Sequence, residues 1–200
     1  MLSNRLLIGF ALIWLLGQTV NAQNSMSVNL APIDKEMVTY ATEVRDSVTK
    51  IFQQGIRDGE VTEKELFSML YFPDTALVST PHFSTFYDKF TDRTIQKLLD
   101  NYLLKNANIV AVVIMDRNCY MPTHNSKFST PYPNDKTADF MNYRTKRIFN
   151  DKIGLRAAKN TDPYLIQEYH RDTGEEFAEV AVPIFISDRH WGTVRIAYKK

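Results

Sequence analysis

The sequence predicts an α+β domain: a five-stranded antiparallel sheet preceded by a long N-terminal amphipathic helix and further helices. Three observations predict it. A stripe of apolar residues at spacings of three and four runs from Ile33 to Ile56. The period then changes at Ile109–Met115, a continuous β-branched run. Finally, Tyr164 to Lys199 alternates apolar and polar residues around turn signals.

The first 22 residues are of a different character. Met1 to Arg5 carry one positive charge, Leu6 to Leu16 are apolar, and Val20-Asn21-Ala22 places small residues at −3 and −1. That is the pattern of a secretory signal peptide cleaved after Ala22, and the apolar run is short for a transmembrane helix. An uncleaved anchor is the alternative. The expected location is periplasmic or secreted. The domain organisation is then 1–22 signal peptide, 23–58 lead-in and long helix, and 59–200 the main domain. Without Arg5 the chain carries 23 basic and 23 acidic side chains, so a nucleic acid or anionic membrane partner is not expected. The single Cys119 excludes an internal disulfide and reads as a small buried side chain.

In the first helix, Met37, Tyr40, Ala41, Val44, Val48, Ile51 and Phe52 share one face, with Pro32 at its mouth and Gly59 as its stop. Such a stripe either lies on the protein's own sheet or forms a homodimer with a second copy. Thr62-Glu63-Lys64-Glu65 is a capping box opening a short helix through Leu70, which Phe72-Pro73-Asp74 breaks. Thr80-Pro81 reads as the start of a third helix, whose stripe runs Phe83, Phe86, Tyr87, Phe90, Ile95, Leu98, Leu99, Tyr102.

Ile109–Met115 is expected to be a central buried strand. Asp116-Arg117-Asn118 is a turn and Cys119 to Met121 a return strand. Residues 126–136 read as loop, 138–148 as a helix, and Gly154 as the end of the next turn. Strands follow at 164–170, 177–186 and 191–199. Asp172-Thr173-Gly174 is a hairpin signal, Pro183 marks a bulge or an edge, and Ser187 to His190 turns the chain.

The chemistry-bearing residues cluster in the excursion between the second and third strands. His124, in Pro122-Thr123-His124-Asn125, could contact a ligand, hold the loop, or ligate a metal or haem. Arg144 and Arg147, three apart, could face one side of the flap helix and clamp a carboxylate or phosphate, or pair internally with Asp139 or Asp151. Tyr120, Tyr143, Asn160 and Tyr169 are further polar candidates, whereas Arg195 alternates with apolar neighbours and is expected on the outer face of the last strand. No paired-Cys, His-Glu-x-x-His, Gly-x-Ser-x-Gly or phosphate-loop motif occurs, so neither an enzyme nor a bound cofactor is expected, with haem on His124 as the alternative.

Several phrases appear in an order that resembles the PAS-like Cache sensory modules of bacterial methyl-accepting chemotaxis proteins. They are Gly59-Glu60-Val61-Thr62 through Phe67, Thr80-Pro81 with Phe90-Thr91-Asp92-Arg93, Asp116 through Asn125, Arg147 through Asp151, Gly154 through Thr161, and Pro183-Ile184-Phe185 through Gly192. The resemblance spans about Gly59 to Tyr198. It implies a sensory fold that takes a small polar or anionic ligand between the sheet and a flap from His124 to Asn160. The site residues expected from the reading of the residues themselves are Tyr120, Thr123, His124, Asn125, Arg144, Arg147, Asp151, Asn160 and Tyr169. Two departures stand out. Asp116-Arg117-Asn118-Cys119 replaces the usual Asp-x-Asn-Gly, and the sequence given stops at Lys200. Signalling is therefore expected to need a membrane sensor partner.

Overall fold

A computed structural model describes residues 30–74, 80–132, 134–170 and 176–200. The signal segment and the Asp172-Thr173-Gly174 hairpin signal lie outside the described residues. Helix α1 (Pro32–Arg57) has proline in its first turn, and Gly59, at φ 71°, lies just beyond its C-cap Asp58. Its stripe of Met37, Ala41, Val44, Val48 and Phe52 is fully buried. Gly55 continues that stripe because a Cβ there would collide with the Phe90 ring. The opposite face, Lys35, Thr39, Glu43, Asp46 and Lys50, is exposed and polar. Of the two uses open to this stripe, it packs on the protein's own sheet, against the strands defined below as β5 and β6.

Helix α2 (Glu63–Leu66) opens with the expected capping box: Thr62 Oγ1 accepts from Glu65 N, and Glu65 Oε2 accepts from Thr62 N. It stops after one turn. The next residues form β1 (Phe72–Asp74), paired antiparallel with β2 (His82–Ser84). Helices α3 (Asp88–Thr94) and α4 (Gln96–Leu103) follow, then β3 (Ile109–Asp116). After the excursion with α5 (Lys136–Asn142) and α6 (Lys152–Ala158) come β4 (Leu165–His170), β5 (Glu176–Ile186) and β6 (Arg189–Tyr198). Among the described residues the main sheet has four strands, all antiparallel, in the order β3-β6-β5-β4.

Alternation gives this sheet two faces. Val112, Ile114, Val180, Val182, Ile184, Val194, Ile196 and Tyr198 join the α1 stripe in the main core. Val113 and Met115, on the other side of β3, join Cys119, Met121 and Ala158 in a second, smaller core. The β5–β6 turn is the two-residue loop Ser187-Asp188, both at positive φ (47° and 61°), the geometry that suits strand twist. Pro183 lies where the β4 ladder has already ended at Ala181, so β5 is locally an edge, one residue before a register shift at Ile184/Phe185.

Four sequence expectations are corrected. The fifth strand, Cys119–Met121, does not form; it makes only isolated bridges, Ile114↔Thr123 and Tyr120↔Ile148. Asp116 Oδ1 accepts from Asn118 N and Tyr120 N, and Cys119 takes φ 69°, which swings the chain off the ladder. The segment pairs instead with the flap's return (Met121 N to Arg147 O, Lys146 N to Met121 O, Phe149 N to Cys119 O), and Asn125 Oδ1 takes the Val112 N–H at the free edge of β3. The third helix does not start at Thr80-Pro81. Phe83 N–H bonds Lys146 O, which holds His82–Ser84 as a strand, and helix begins only at Asp88, with a break at Ile95 (φ −111°).

The flap helix starts at its N-cap Asp135 and ends at Asn142, so Arg144 and Arg147 lie beyond the helix, on either side of a turn at Thr145-Lys146; Lys146 at φ 62° bends the segment. Gly154 ends no turn. It sits inside α6, capped by Asp151, at a point where a Cβ would run into the Phe149 carbonyl.

Three buried aspartates are met by tyrosine hydroxyls: Asp34 by Tyr198 (2.5 Å), Asp88 by Tyr120 (2.9 Å), and Asp116 by Tyr71 (2.5 Å) and Tyr87 (2.9 Å). Asp116→Asn, which replaces an anionic acceptor with an amide, is expected to cost about 2–4 kcal/mol in urea unfolding at constant m-value, and Tyr71→Phe about 1 kcal/mol. Burial raises the Asp88 carboxyl from 3.8 to about 6, against the pull of Lys146 and the donors Thr85 N and Tyr120 OH. The folded state thus holds this proton more tightly than the unfolded chain. Its contribution to stability is full below pH 3.8 and is lost as pH rises to about 6. Stability of the wild type relative to Asp88→Asn, measured across that window, is expected to fall by roughly 2–3 kcal/mol; a flat difference would refute the assignment.

Candidate functional site

A cavity of about 490 Å³ opens on the face of the sheet away from α1. Its floor owes its depth to small residues: Ala111 of β3 and Ala197 of β6 are direct cross-strand partners, and both line it. Tyr169 and Phe177, another cross-strand pair, form one flank. The roof is the segment from Met121 to His124 together with Arg144, Arg147 and Phe149, and the start of α6 closes the far side with Asp151, Lys152 and Ile153.

A buried polar triad sits in the floor. Glu179 (1% exposed) accepts from Arg195 Nε at 3.1 Å on both oxygens and from Arg195 Nη2. Its direct cross-strand neighbour Gln167 adds Nε2 at 2.8 Å and also reaches the Ile153 carbonyl at 3.0 Å. With Arg195 and Gln167 both donating, the carboxylate is charge-balanced as a buried acid must be. Among the described residues Arg195 Nη1 meets the weak acceptor Met115 Sδ, at 3.0 Å, at the cavity floor.

The roof gathers two more guanidinium groups. Arg144 and Arg147 lie 5.2 and 5.0 Å from the Phe149 ring centroid, and Arg147 is 5.3 Å from that of Phe140, whose carbonyl accepts its Nη1 at 3.1 Å. The expected helix face is replaced by an aromatic ring flanked by both cations. Asp151, the acid next to them, uses Oδ1 to cap Ile153 N and Gly154 N at 2.9 Å each. His124 is buried in the cavity wall with its Nδ1 accepting the Asn125 N–H at 2.7 Å. Among the described residues no group of three or more His, Cys, Asp or Glu is arranged to hold a metal ion.

Of the nine residues expected from sequence, the cavity brings together His124, Arg144, Arg147, Asp151 and Tyr169. Four lie elsewhere. Tyr120 points to the α1 side of the sheet, bonding Asp88 and the Phe83 carbonyl, and burial pushes its hydroxyl far above the ordinary tyrosine range. Thr123 is fully buried at the bridge to Ile114. Asn125 covers the β3 edge, and Asn160 closes a local turn with Asp162. Sequence reasoning missed Lys152, Phe149, Phe177 and Glu179, and placed Arg195 on an outer face. Arg195 is indeed opposite the α1 layer, but that side of the sheet is the cavity floor. A signal was present: Glu179 and Arg195 interrupt two apolar strands in the same phase, with opposite charge.

No protein-family model matches the sequence, and no curated protein matches it. Among solved structures, an extracellular ligand binding receptor from Desulfohalobium retbaense DSM5692 aligns at 11% identity and a TM-score of 0.40, over 82% of this chain and 25% of that one. A structure described as the extracellular domain of histidine kinase rpHK1S-Z16 aligns at 14% identity and a TM-score of 0.36, over 84% of this chain and 57% of that one. The chain thus spans only a quarter of the first of these structures and somewhat over half of the second. Among the described residues no helix is long and apolar enough to cross a membrane.

Proposed function

We propose that this protein is an exported sensory domain of the Cache type that binds a small anionic metabolite in the cavity on the second face of its sheet. The observation that carries this reading is the charge inventory of that cavity. Arg144, Arg147, Lys152 and Arg195 line it against Asp151 and Glu179, and both acids are already engaged within the protein. Among the described lining residues the cations outnumber the acids around a space of ligand size, with Phe149, Phe177 and Tyr169 as apolar and aromatic walls. Guanidinium forks suit a carboxylate or phosphate, and the wall aromatics suit its carbon skeleton. The acids of the site lack a partnering nucleophile or base, so the reading is of a binding protein rather than a catalyst. The ordered phrases from Gly59 to Gly192 supply the chemoreceptor reading, in which a membrane sensor is the partner that reports occupancy.

A thermal-shift screen of residues 23–200 against succinate, malate, citrate, glutamate, inorganic phosphate and nucleobases tests the binding. A ligand at 100 times its Kd adds about 2.7 kcal/mol, which for a chain of this size raises Tm by roughly 5–10 °C. Arg147→Ala is expected to abolish the shift for whichever anion produces it. If no compound raises the midpoint, and Arg147→Ala changes stability alone, the cavity is not a ligand site.

A further inference from the structure

The chain from Tyr143 to Arg147 is a partition between two spaces. Arg144 and Arg147 line the anion cavity, while Tyr143, Thr145 and Lys146 line a second cleft of about 380 Å³ on the other side. Asp92 and Gln96, at the α3–α4 junction, and three hydroxyl residues of the 126–130 turn complete it. Every side chain of this cleft is polar, unlike the aromatic-walled anion cavity.

The cation in its described lining, Lys146, is already paired. Lys146 Nζ is 2.7 Å from Asp92 Oδ2 and 3.7 Å from Asp88 Oδ1, and it also donates to the Pro122 carbonyl. An anion entering here would have to compete with three acceptors for one ammonium, and a cation would approach that ammonium directly. Charged ligands are disfavoured on both counts. Hydrogen-bonding capacity, by contrast, is left over. Gln96 commits Nε2 to His124 O and Ser129 Oγ at 3.1 Å each, so its Oε1 remains as an acceptor. Thr145, 4% exposed, has a buried Oγ1 without a hydrogen-bond partner. A buried hydroxyl in that condition is costly and needs a partner. The second carboxylate oxygen of Asp92 is a further strong acceptor, and the Ser126 and Thr130 residues stand exposed at the mouth.

We propose that this cleft is a second binding site, for a neutral polyhydroxylated ligand of monosaccharide or cyclic-polyol size. Such a ligand both donates and accepts at several points, which matches acceptors at Asp92 and Gln96 and hydroxyls at Thr145 and Thr130. It brings no charge to disturb the Lys146–Asp92 pair. The volume falls in the range of small-molecule sites.

The test is a methyl and amide NMR titration of residues 23–200 with D-glucose, D-galactose, D-ribose and myo-inositol, taken to about 50 mM so that a Kd near 1 mM would saturate. At least one probe is expected to shift the Thr145 and Thr130 methyl signals, while glucosamine and glucuronate, the same ring with a charge, bind more weakly. Thr145→Val keeps the shape and removes the hydroxyl; binding is expected to weaken about three- to tenfold with Tm unchanged or higher, since no internal hydrogen bond is lost. Thr130→Val, at the exposed mouth, gives a second loss of affinity that carries no folding risk. The proposal is overturned if none of the four probes moves these signals, if the shifts fall only around Arg144 and Phe149, or if Thr145→Val binds as the wild type does. A lowered Tm in Thr145→Val would also count against it, because the hydroxyl would then be part of the fold.

Discussion

Asp116 ends β3 inside the protein, and a carboxylate in that position has to be surrounded by donors or stay protonated. It collects four: the hydroxyls of Tyr71 and Tyr87 on one oxygen, and the backbone N–H groups of Asn118 and Tyr120 on the other. Burial still pushes its carboxyl upward, with these hydrogen bonds pulling it back. The consequence is geometric. Tyr71 lies just before β1 and Tyr87 just before α3, so one side chain ties the sheet to two connections of the helical layer. The same carboxylate folds the chain back at Cys119 and starts the segment that becomes the cavity roof. Tilting Asp116 would move the roof and the helical layer together.

Asp34 and Asp88 extend the same device. Tyr198 anchors the start of α1 to the last strand, and Tyr120 anchors α3 to the roof segment. Each pair joins elements distant in sequence, and each burial lifts the phenol of the tyrosine above its ordinary range, so these hydroxyls remain donors at any physiological pH. Packing alone leaves the sliding of a helix on a sheet weakly opposed. A buried hydrogen bond to a charged acceptor opposes it more strongly, because slippage would strand the carboxylate.

What the sequence made legible follows from which forces are local. The α1 stripe, the capping box at Thr62, the β3 run and the β5–β6 turn were readable because periodicity and cap chemistry decide them within a few residues. The Phe83–Tyr102 stripe misled for a physical reason: its aromatics are core residues whatever their backbone does, and a long-range bond from Phe83 N–H to Lys146 O turned the first of them into a strand. The missing fifth strand is a similar case, since Asn125 substitutes its side chain for a ladder partner at Val112. At the cavity, the residues found in advance were those in polar runs. Glu179 and Arg195 were hidden inside apolar strands, where a charged residue reads as solvent-facing unless the opposite face is known to be covered.

The partition between the two spaces explains why neighbouring residues can carry opposed chemistry. From Tyr143 to Arg147 the backbone is held on both flanks, by Arg144 N to Phe128 O and Phe83 N to Lys146 O on one hand and by its pairing with Met121 on the other. A strip fixed in this way has little freedom to rotate, so the side each residue faces is decided by its place in the strip. Arg144 and Arg147 are delivered to the aromatic cavity, where both guanidinium groups lie against the Phe149 ring. Lys146, bent out of phase by its positive φ, is delivered to Asp92 and Asp88 instead. Had Lys146 kept an extended conformation, its ammonium would have lost the acids that cancel it. The left-handed residue therefore separates the arginine-lined cavity from a cleft whose lysine is already paired with acids.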